Sequence, residues 1–213
     1  MLTYRRILSG IACSLLALAL SAGAGADEPP AHVRGTLASV EGDTLAVETD
    51  EEEMVEVSLK EDTRVLTVTP AELEDIEQGD YVGITSVESG NERMALGLHI
   101  FAEDLRGTAE GHFAWDLVQE PNTMTNATVA EVEEVGADRQ LTLTYAEKDG
   151  EQASEGTQTI RVPEFLDVVR LAKAPDRSVL TPGQSVFLIV QDVDGTPTAV
   201  AAVVGSEGAN PPM

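Results

Sequence analysis

The chain of 213 residues has little cysteine, few aromatic residues and few basic residues. Its one cysteine, Cys13, lies in an apolar N-terminal run, so the rest of the chain has no thiol for a disulfide, a thiolate metal site or a covalent nucleophile. Aromatic residues make up 4% of the chain, and Lys and Arg together number 13. Surfaces that bind nucleic acid need clustered cations and stacking aromatics, so this composition argues against a nucleic-acid partner.

Known catalytic patterns are also missing from the sequence. It has no nucleophile elbow, no Gly-rich phosphate loop and no His-Glu-x-x-His pair. Carboxylate pairs occur throughout so acidic a chain, so no single pair indicates glycoside hydrolysis. Residues 192–195 begin like a calcium loop but lack its later acids, and their Asp-Gly pair favours a hairpin turn. We therefore expect a protein that is not an enzyme, with a carboxylate-dependent hydrolase as the weakest alternative.

Long apolar runs are confined to the N-terminus. Two arginines precede the apolar residues 7–20, and a small-x-small motif ends at Ala26, which predicts a signal peptide over residues 1–26. A membrane anchor would need about 20 apolar residues, more than this run contains. Cys13 lies too far inside the run for a lipoprotein cleavage site. We expect export to the periplasm and a mature chain with no membrane span.

Acidic residues, by contrast, are abundant. The chain has 38 Asp and Glu and a formal net charge of −25. Two functions would use this charge: buffering of cations, or attraction of a basic partner protein in the cell envelope. The alternative is solubility in a salty or alkaline habitat, because a hydrated carboxylate surface keeps a protein soluble. The acids are spread along the whole chain, which favours the solubility interpretation.

Two copies of one β-module follow the predicted leader. Three blocks recur in the same order in both halves: residues 33–40 with 126–132, 78–84 with 182–188, and 94–100 with 198–204. The offset between matching blocks grows from 92 to 104 residues, so the second copy carries an insertion. Repetition on this scale indicates two related structural units.

Alternating apolar and polar residues predict strands, as in residues 54–59. A short helix is expected after them, with Thr69 as its N-cap, Leu73 and Ile76 on one face, and Gly79 at its end. In the second copy we expect a polar loop and a helical turn between strands. The second-copy elements are strands near residues 128–135, 140–145, 157–162, 185–191 and 198–204, a loop over 148–156 and a turn over 176–180.

Three strands, a short helix and two more strands is the element order of the oligonucleotide/oligosaccharide-binding (OB) barrel. We therefore predict an all-β fold with one or two short helices, built as two tandem small OB-like β-barrels. The predicted parts are the first barrel at 27–101, a structured connector at 102–126, the second barrel at 127–205 and a C-terminal tail at 206–213. Barrel closure would remove exposed sheet edges.

Several short motifs run through the chain: Gly35-Thr36-Leu37, Gly79-Asp80-Tyr81-Val82-Gly83, His99-Ile100-Phe101, Leu105-Arg106-Gly107, Glu110-Gly111-His112, Trp115-Asp116, Thr123-Met124-Thr125-Asn126 and Pro211-Pro212-Met213. Together they resemble a family of exported bacterial small-barrel proteins of unknown function. Members often carry the automatic label of metal ABC transporter permease, which does not fit a chain without a series of spanning helices. The resemblance implies small barrels and export, and little about function.

The most distinctive segment lies between the two copies, and its first interpretation is a metal site. His99 and His112 offer imidazole ligands and Glu110 a carboxylate, a set that suits zinc or another divalent ion. Met124 or Met213 would suit copper(I). The two histidines are thirteen residues apart and form no compact ligand motif, so the signal is weak.

The second interpretation of this segment is structural. Phe113 and Trp115 would pack between the barrels, and Arg106 would pair with Asp116 or Glu110. We favour this interpretation over the metal site. Function is then expected to be non-enzymatic: a periplasmic binding or envelope-accessory protein of unidentified ligand. The most specific hypothesis for the ligand is a divalent or copper ion. The alternative function is a structural scaffold that binds an envelope protein.

Overall fold

The structure is a computed structural model that describes residues 31–149 and 152–213. The predicted signal peptide at 1–26 and Cys13 lie outside the described residues. Strands dominate the described part, and its helices are three single 3-10 turns, at Leu73–Asp75, Glu103–Leu105 and Arg177–Val179. The predicted all-β class is confirmed. Within the described ranges no helix has the length and apolar character needed to cross a bilayer.

Twelve strands run through the described residues in chain order. They are β1 (Ala31–Glu41), β2 (Thr44–Thr49), β3 (Met54–Ala71), β4 (Tyr81–Ser89), β5 (Glu92–Phe101), β6 (Gly111–Trp115), β7 (Asn122–Val135), β8 (Asp138–Asp149), β9 (Gln152–Val162), β10 (Val168–Lys173), β11 (Ser185–Val193) and β12 (Thr196–Gly205).

Five of these strands close into a barrel in the order β1-β2-β3-β12-β11, which we call the first barrel. Its pairs are antiparallel except β3 with β12, which is parallel. Alternate residues of each strand point inward and fill the interior, including Leu37, Val47 and Val57 from the first copy and Leu188 and Val204 from the second. The barrel core is therefore shared between the two ends of the chain.

A second group of five strands, which we call the second strand set, follows the order β7-β8-β9-β5-β4. All of its pairs are antiparallel except β5 with β9, which meet at the single parallel pair Met94 and Arg161. Its interior is filled by Ile84 and Leu98 together with Leu141 and Ile160. Strand β10 lies between the two groups, pairing antiparallel with β3 and parallel with β5.

The two copies of the repeat exchange their last hairpins. The predicted barrel boundaries, 27–101 and 127–205, would put β4 and β5 with β1 to β3. Instead β11 and β12 complete the first barrel, and β4 and β5 join β7 to β9. Because the copies are related in sequence, either hairpin suits either three-strand group, and only long-range packing selects the partner. The relationship of each group to the OB fold stays a prediction.

The predicted helix begins later than the sequence indicated. Thr69 and Pro70 continue β3, where they pair with β10, so Thr69 is not an N-cap. The turn that follows is stabilised by Asp75, whose Oδ2 accepts a hydrogen bond of 3.0 Å from the backbone N–H of Glu72. Leu73 is buried, as the predicted apolar face requires. Pairing with β10, which the sequence analysis did not predict, extends the strand through the expected cap.

The second copy also differs locally from expectation. The predicted polar loop at 148–156 is part of the β8–β9 hairpin, whose pairing runs from Arg139 and Val162 out to Asp149 and Gln152. This polar segment forms two strands because their pairing provides hydrogen-bond partners for the backbone N–H and C=O groups, whatever the polarity of the side chains. The predicted helical turn at 176–180 is present as Arg177–Val179.

Candidate functional site

The connector predicted at 102–126 contains β6 and the start of β7, and strand alternation divides its side chains between two faces. Phe113 pairs with Met124, and Trp115 pairs with Asn122, so these four residues share one face. His112 pairs with Thr125 and therefore points to the opposite face. The first of these faces is the one turned toward the first barrel.

A third apolar cluster joins the outer faces of the two strand groups. Phe187 is 2% exposed, yet it lies outside the first barrel, where it meets Trp115 at 6.1 Å between ring centroids. Trp115 in turn contacts Phe113 at 5.8 Å, and Phe101 of the second strand set belongs to the same cluster. Phe113 and Trp115 thus pack between the first barrel and the second strand set, where the sequence predicted them to lie between two barrels.

An apolar cavity of about 370 Å³ lies within this cluster. Strands β3, β10, β11 and β12 line one side, and β5, β6 and β7 line the other. Cavities of roughly 300–1,000 Å³ are typical of small-molecule sites. The chain has one Trp and four Phe, and all of these except Phe165 line this cavity. Its scarce large aromatics are therefore concentrated at one place.

Three buried polar atoms have no hydrogen-bond partner within the described residues: His99 Nδ1, Trp115 Nε1 and Asn126 Oδ1. All three residues line the cavity. Each buried polar atom left without a partner costs about 1–3 kcal/mol. Asn126 already donates through Nδ2 to the Ala109 carbonyl at 3.1 Å, so its free atom is an acceptor, whereas the indole N–H of Trp115 is a donor.

His99 is a neutral group at this site. It is 3% exposed and packs edge-on against Phe101 at 4.6 Å. Burial lowers the pKa of His99 to about 3, because the apolar surroundings disfavour the charged imidazolium. A neutral imidazole has one donor and one acceptor nitrogen, so His99 can offer a hydrogen bond but no charge.

His32, the second residue of β1, belongs to the wall of the cavity. Its ring lies 4.4 Å from Trp115, and its Nδ1 lies 2.8 Å from the carboxylate of Asp116. Arg34 donates to the same carboxylate at 2.7 Å and lies over Phe187. Partial burial raises the pKa of Asp116, but the hydrogen bonds from Arg34 and His32 outweigh it and hold this pKa below its usual value.

The segment at 206–213 also reaches the cavity. Met213 is buried and lines the cavity, and its carbonyl oxygen accepts a 2.8 Å hydrogen bond from Arg34 Nε. The carbonyl of Pro212 lies where a side chain at Gly97 would stand. This segment therefore packs onto the second strand set and closes one side of the site.

The predicted ion pair of Arg106 with Asp116 or Glu110 is wrong. Arg106 pairs with Glu103 at 2.8 Å and donates to the Gly79 carbonyl, rather than pairing with Asp116 or Glu110. Glu103 is three residues away within the same turn, so its carboxylate reaches the guanidinium locally. Glu110 instead accepts a hydrogen bond from the backbone N–H of Ala146.

The four predicted metal ligands, His99, Glu110, His112 and Met124, are not brought together. His99 and Met124 line the cavity, whereas His112 faces away, 2.8 Å from Thr125 Oγ1. The alternation of β6 separates the two histidines. Across residues 31–149 and 152–213 no three His, Cys, Asp or Glu side chains form a group that could hold a metal ion.

No protein-family model matches this chain, and no curated protein or solved structure matches it either. The resemblance to exported small-barrel proteins therefore stays a prediction.

Most of the cavity could not be predicted from the sequence. Phe187, Asn126 and Ile189 lie on strands whose alternation shows that two faces exist but not what covers the outer one. The concentration of large aromatics in a chain with few of them was the signal available. It could not show that Phe187 and Trp115 meet, because they are 72 residues apart in sequence.

Proposed function

We propose that this protein is a non-enzymatic binding protein whose ligand is a small amphipathic organic molecule held in the cavity between the first barrel and the second strand set. One observation carries the proposal: three buried polar atoms, on His99, Trp115 and Asn126, have no partner in the described part of the chain, and all three residues line one apolar cavity. Buried polar groups in proteins are nearly always hydrogen-bonded, so a ligand that supplies their partners gains the full value of those bonds.

The donors and acceptors define the chemistry of the ligand. Trp115 Nε1 needs an acceptor and Asn126 Oδ1 needs a donor, and neutral His99 serves as either. A hydroxyl or an amide group does both. The rest of the ligand is apolar, because it would contact Phe101, Phe187 and the side chains around them.

The low pKa of His99 favours a binding role for the site over a catalytic one. A general base works best with a pKa near the working pH, and the pKa of His99 is about 3. Periplasmic location is a part of the proposal that depends on the leader at 1–26. If that leader is cleaved, the protein would bind its ligand in the cell envelope.

Intrinsic fluorescence tests the proposal directly, because Trp115 is the only tryptophan in the chain and lines the cavity. We expect titration of the purified protein with straight-chain alcohols from hexanol to dodecanol to give a saturable change in Trp115 emission. The variant Ala201→Leu, which adds volume to the cavity wall, should weaken binding about tenfold or more, since the larger side chain takes space from the ligand and overpacking costs about 1–3 kcal/mol.

Ala114→Leu is the matched control. Ala114 lies on β6 next to Trp115, is exposed and points away from the cavity, so the same change there should leave alcohol binding unaltered. Thermal unfolding of both variants would verify that each is folded. No saturable emission change with any alcohol would contradict the proposal, as would equal loss of binding in the two variants.

A further inference from the structure

We infer that the ligand of this cavity also carries an anionic group, such as a carboxylate, which Arg64 and Lys173 bind at the solvent-exposed end of the site. The inference rests on the proposed function and narrows its ligand to an amphipathic anion. Both cations line the cavity, and both are exposed. They mark a place where the apolar interior reaches solvent.

Strand register explains why the two cations lie together. Lys173 of β10 pairs with Leu66 of β3, and Arg64 is two residues before Leu66, so all three share one face. Leu171 is likewise two residues before Lys173 on that face. Each of the two strands thus places one cation and one apolar residue of the cavity lining on the same face, the combination of groups that an amphipathic anion requires.

Arg64 is suited to bind an anion, and it has no charged partner among residues 31–149 and 152–213. Acids outnumber basic residues by 38 to 13 in this chain, yet the Arg64 guanidinium makes no ion pair and no side-chain hydrogen bond within the described ranges. A guanidinium binds a carboxylate through two parallel hydrogen bonds, which makes it a strong and oriented contact.

Lys173 is available as a second contact. Its Nζ pairs with Asp104 at 2.8 Å, but both side chains are more than half exposed. Exposed pairs of this kind contribute little to stability, so exchanging Asp104 for a ligand carboxylate costs little. The ammonium would add a further positive charge beside Arg64.

The part of the lining formed by His99, Trp115 and Asn126 cannot hold the charge. The pKa of His99 is about 3, so its ring is neutral, and Asn126 and Trp115 offer only uncharged hydrogen-bonding groups. An unpaired charge buried among apolar side chains would be strongly unfavourable. The ligand is therefore oriented, with its anion at Arg64 and its neutral polar group, where it has one, at His99 and Asn126.

The experiment compares decanoate with decanol, two ligands of equal chain length, by Trp115 emission at a pH where the acid is ionised. We expect Arg64→Gln to weaken decanoate binding about tenfold or more, as loss of one charged hydrogen-bonded contact does, and to leave decanol binding unchanged. Added salt should weaken decanoate binding and leave decanol binding unaffected.

Arg170→Gln is the matched control. Arg170 is also an exposed arginine without an ion pair in the described part of the chain, and it lies on β10 but on the opposite face. Both variants change net charge equally, so equal losses of decanoate affinity would overturn the inference by assigning the effect to overall charge. Insensitivity of decanoate binding to both variants would also overturn it, while the proposed function would stand if decanol bound. Failure of both ligands to bind would contradict the proposed function itself.

Discussion

Gly83 of β4 lies between His99 of β5 and Asn126 of β7, and the imidazole of His99 fills the space where a side chain at residue 83 would stand. The carboxamide oxygen of Asn126 borders the same space. Two of the three buried polar groups without a partner among the described residues are thus positioned across one glycine. The backbone of Gly83 has no positive φ, so the reason for glycine here is space and not conformation.

Gly83→Ala should therefore destabilise the protein by about 1–3 kcal/mol, the usual cost of overpacking a closed interior. Chemical denaturation measures the change in free energy of unfolding. In a His99→Ala background the same substitution should cost less by about 0.5 kcal/mol or more, because the imidazole that it displaces is gone. Equal costs in both backgrounds would show that His99 and residue 83 do not compete for space.

Burial of His99 should appear in the pH dependence of stability. Its pKa is about 3 in the folded protein and about 6.5 in the unfolded chain, so between these values the unfolded state binds more protons and stability falls as pH falls. The slope due to this group is at most about 1.4 kcal/mol per pH unit, and His99→Phe should remove it.

Ring-proton NMR offers a second measurement: the His99 resonance should keep its neutral position down to about pH 4. Titration near pH 6 would contradict the burial.

Exchange of the hairpins should make the two halves of the chain dependent on each other. A fragment that ends before β7 lacks β11 and β12, which supply Val186, Leu188 and Val204 to the interior of the first barrel. Each such side chain contributes about 1.5–3 kcal/mol, so their loss removes much of a typical stability of about 5–15 kcal/mol.

We expect residues 31–121 and 122–213 to be unfolded separately and to form a folded complex when mixed, as followed by circular dichroism and size-exclusion chromatography. A cooperatively unfolding monomer formed by either fragment alone would instead favour a barrel contiguous in sequence.

Metal binding through the four predicted ligands should be absent, because His99 and His112 lie on opposite faces of the sheet. Calorimetric titration of the metal-free protein with zinc and with copper tests this. We expect no saturable heat that depends on both histidines. Heat that is lost in the His99→Ala, His112→Ala double variant but kept in the Met54→Ala variant would show that the residues do come together. Met54 is an exposed methionine on β3 and serves as the unrelated control.

The sequence by itself determined the local structure of this protein. Alternation in residues 54–59 produced a strand, and the Asp-Gly pair at 194–195 produced the β11–β12 turn, where Gly195 N–H donates to Asp192 Oδ1 at 2.8 Å. These features depend on near neighbours in the chain, whose conformational preferences and hydrogen bonds are the same whatever the rest of the fold does.

Only the tertiary structure decided which hairpin joins which three-strand group and which outer faces meet. The repeats make both hairpin pairings compatible with local sequence, so the choice depends on packing summed over the whole chain. The same packing buries Phe187 against Trp115 and leaves His99 and Asn126 facing a cavity rather than solvent. The candidate site is a product of contacts between distant segments, and for that reason its composition could not be read from any one of them.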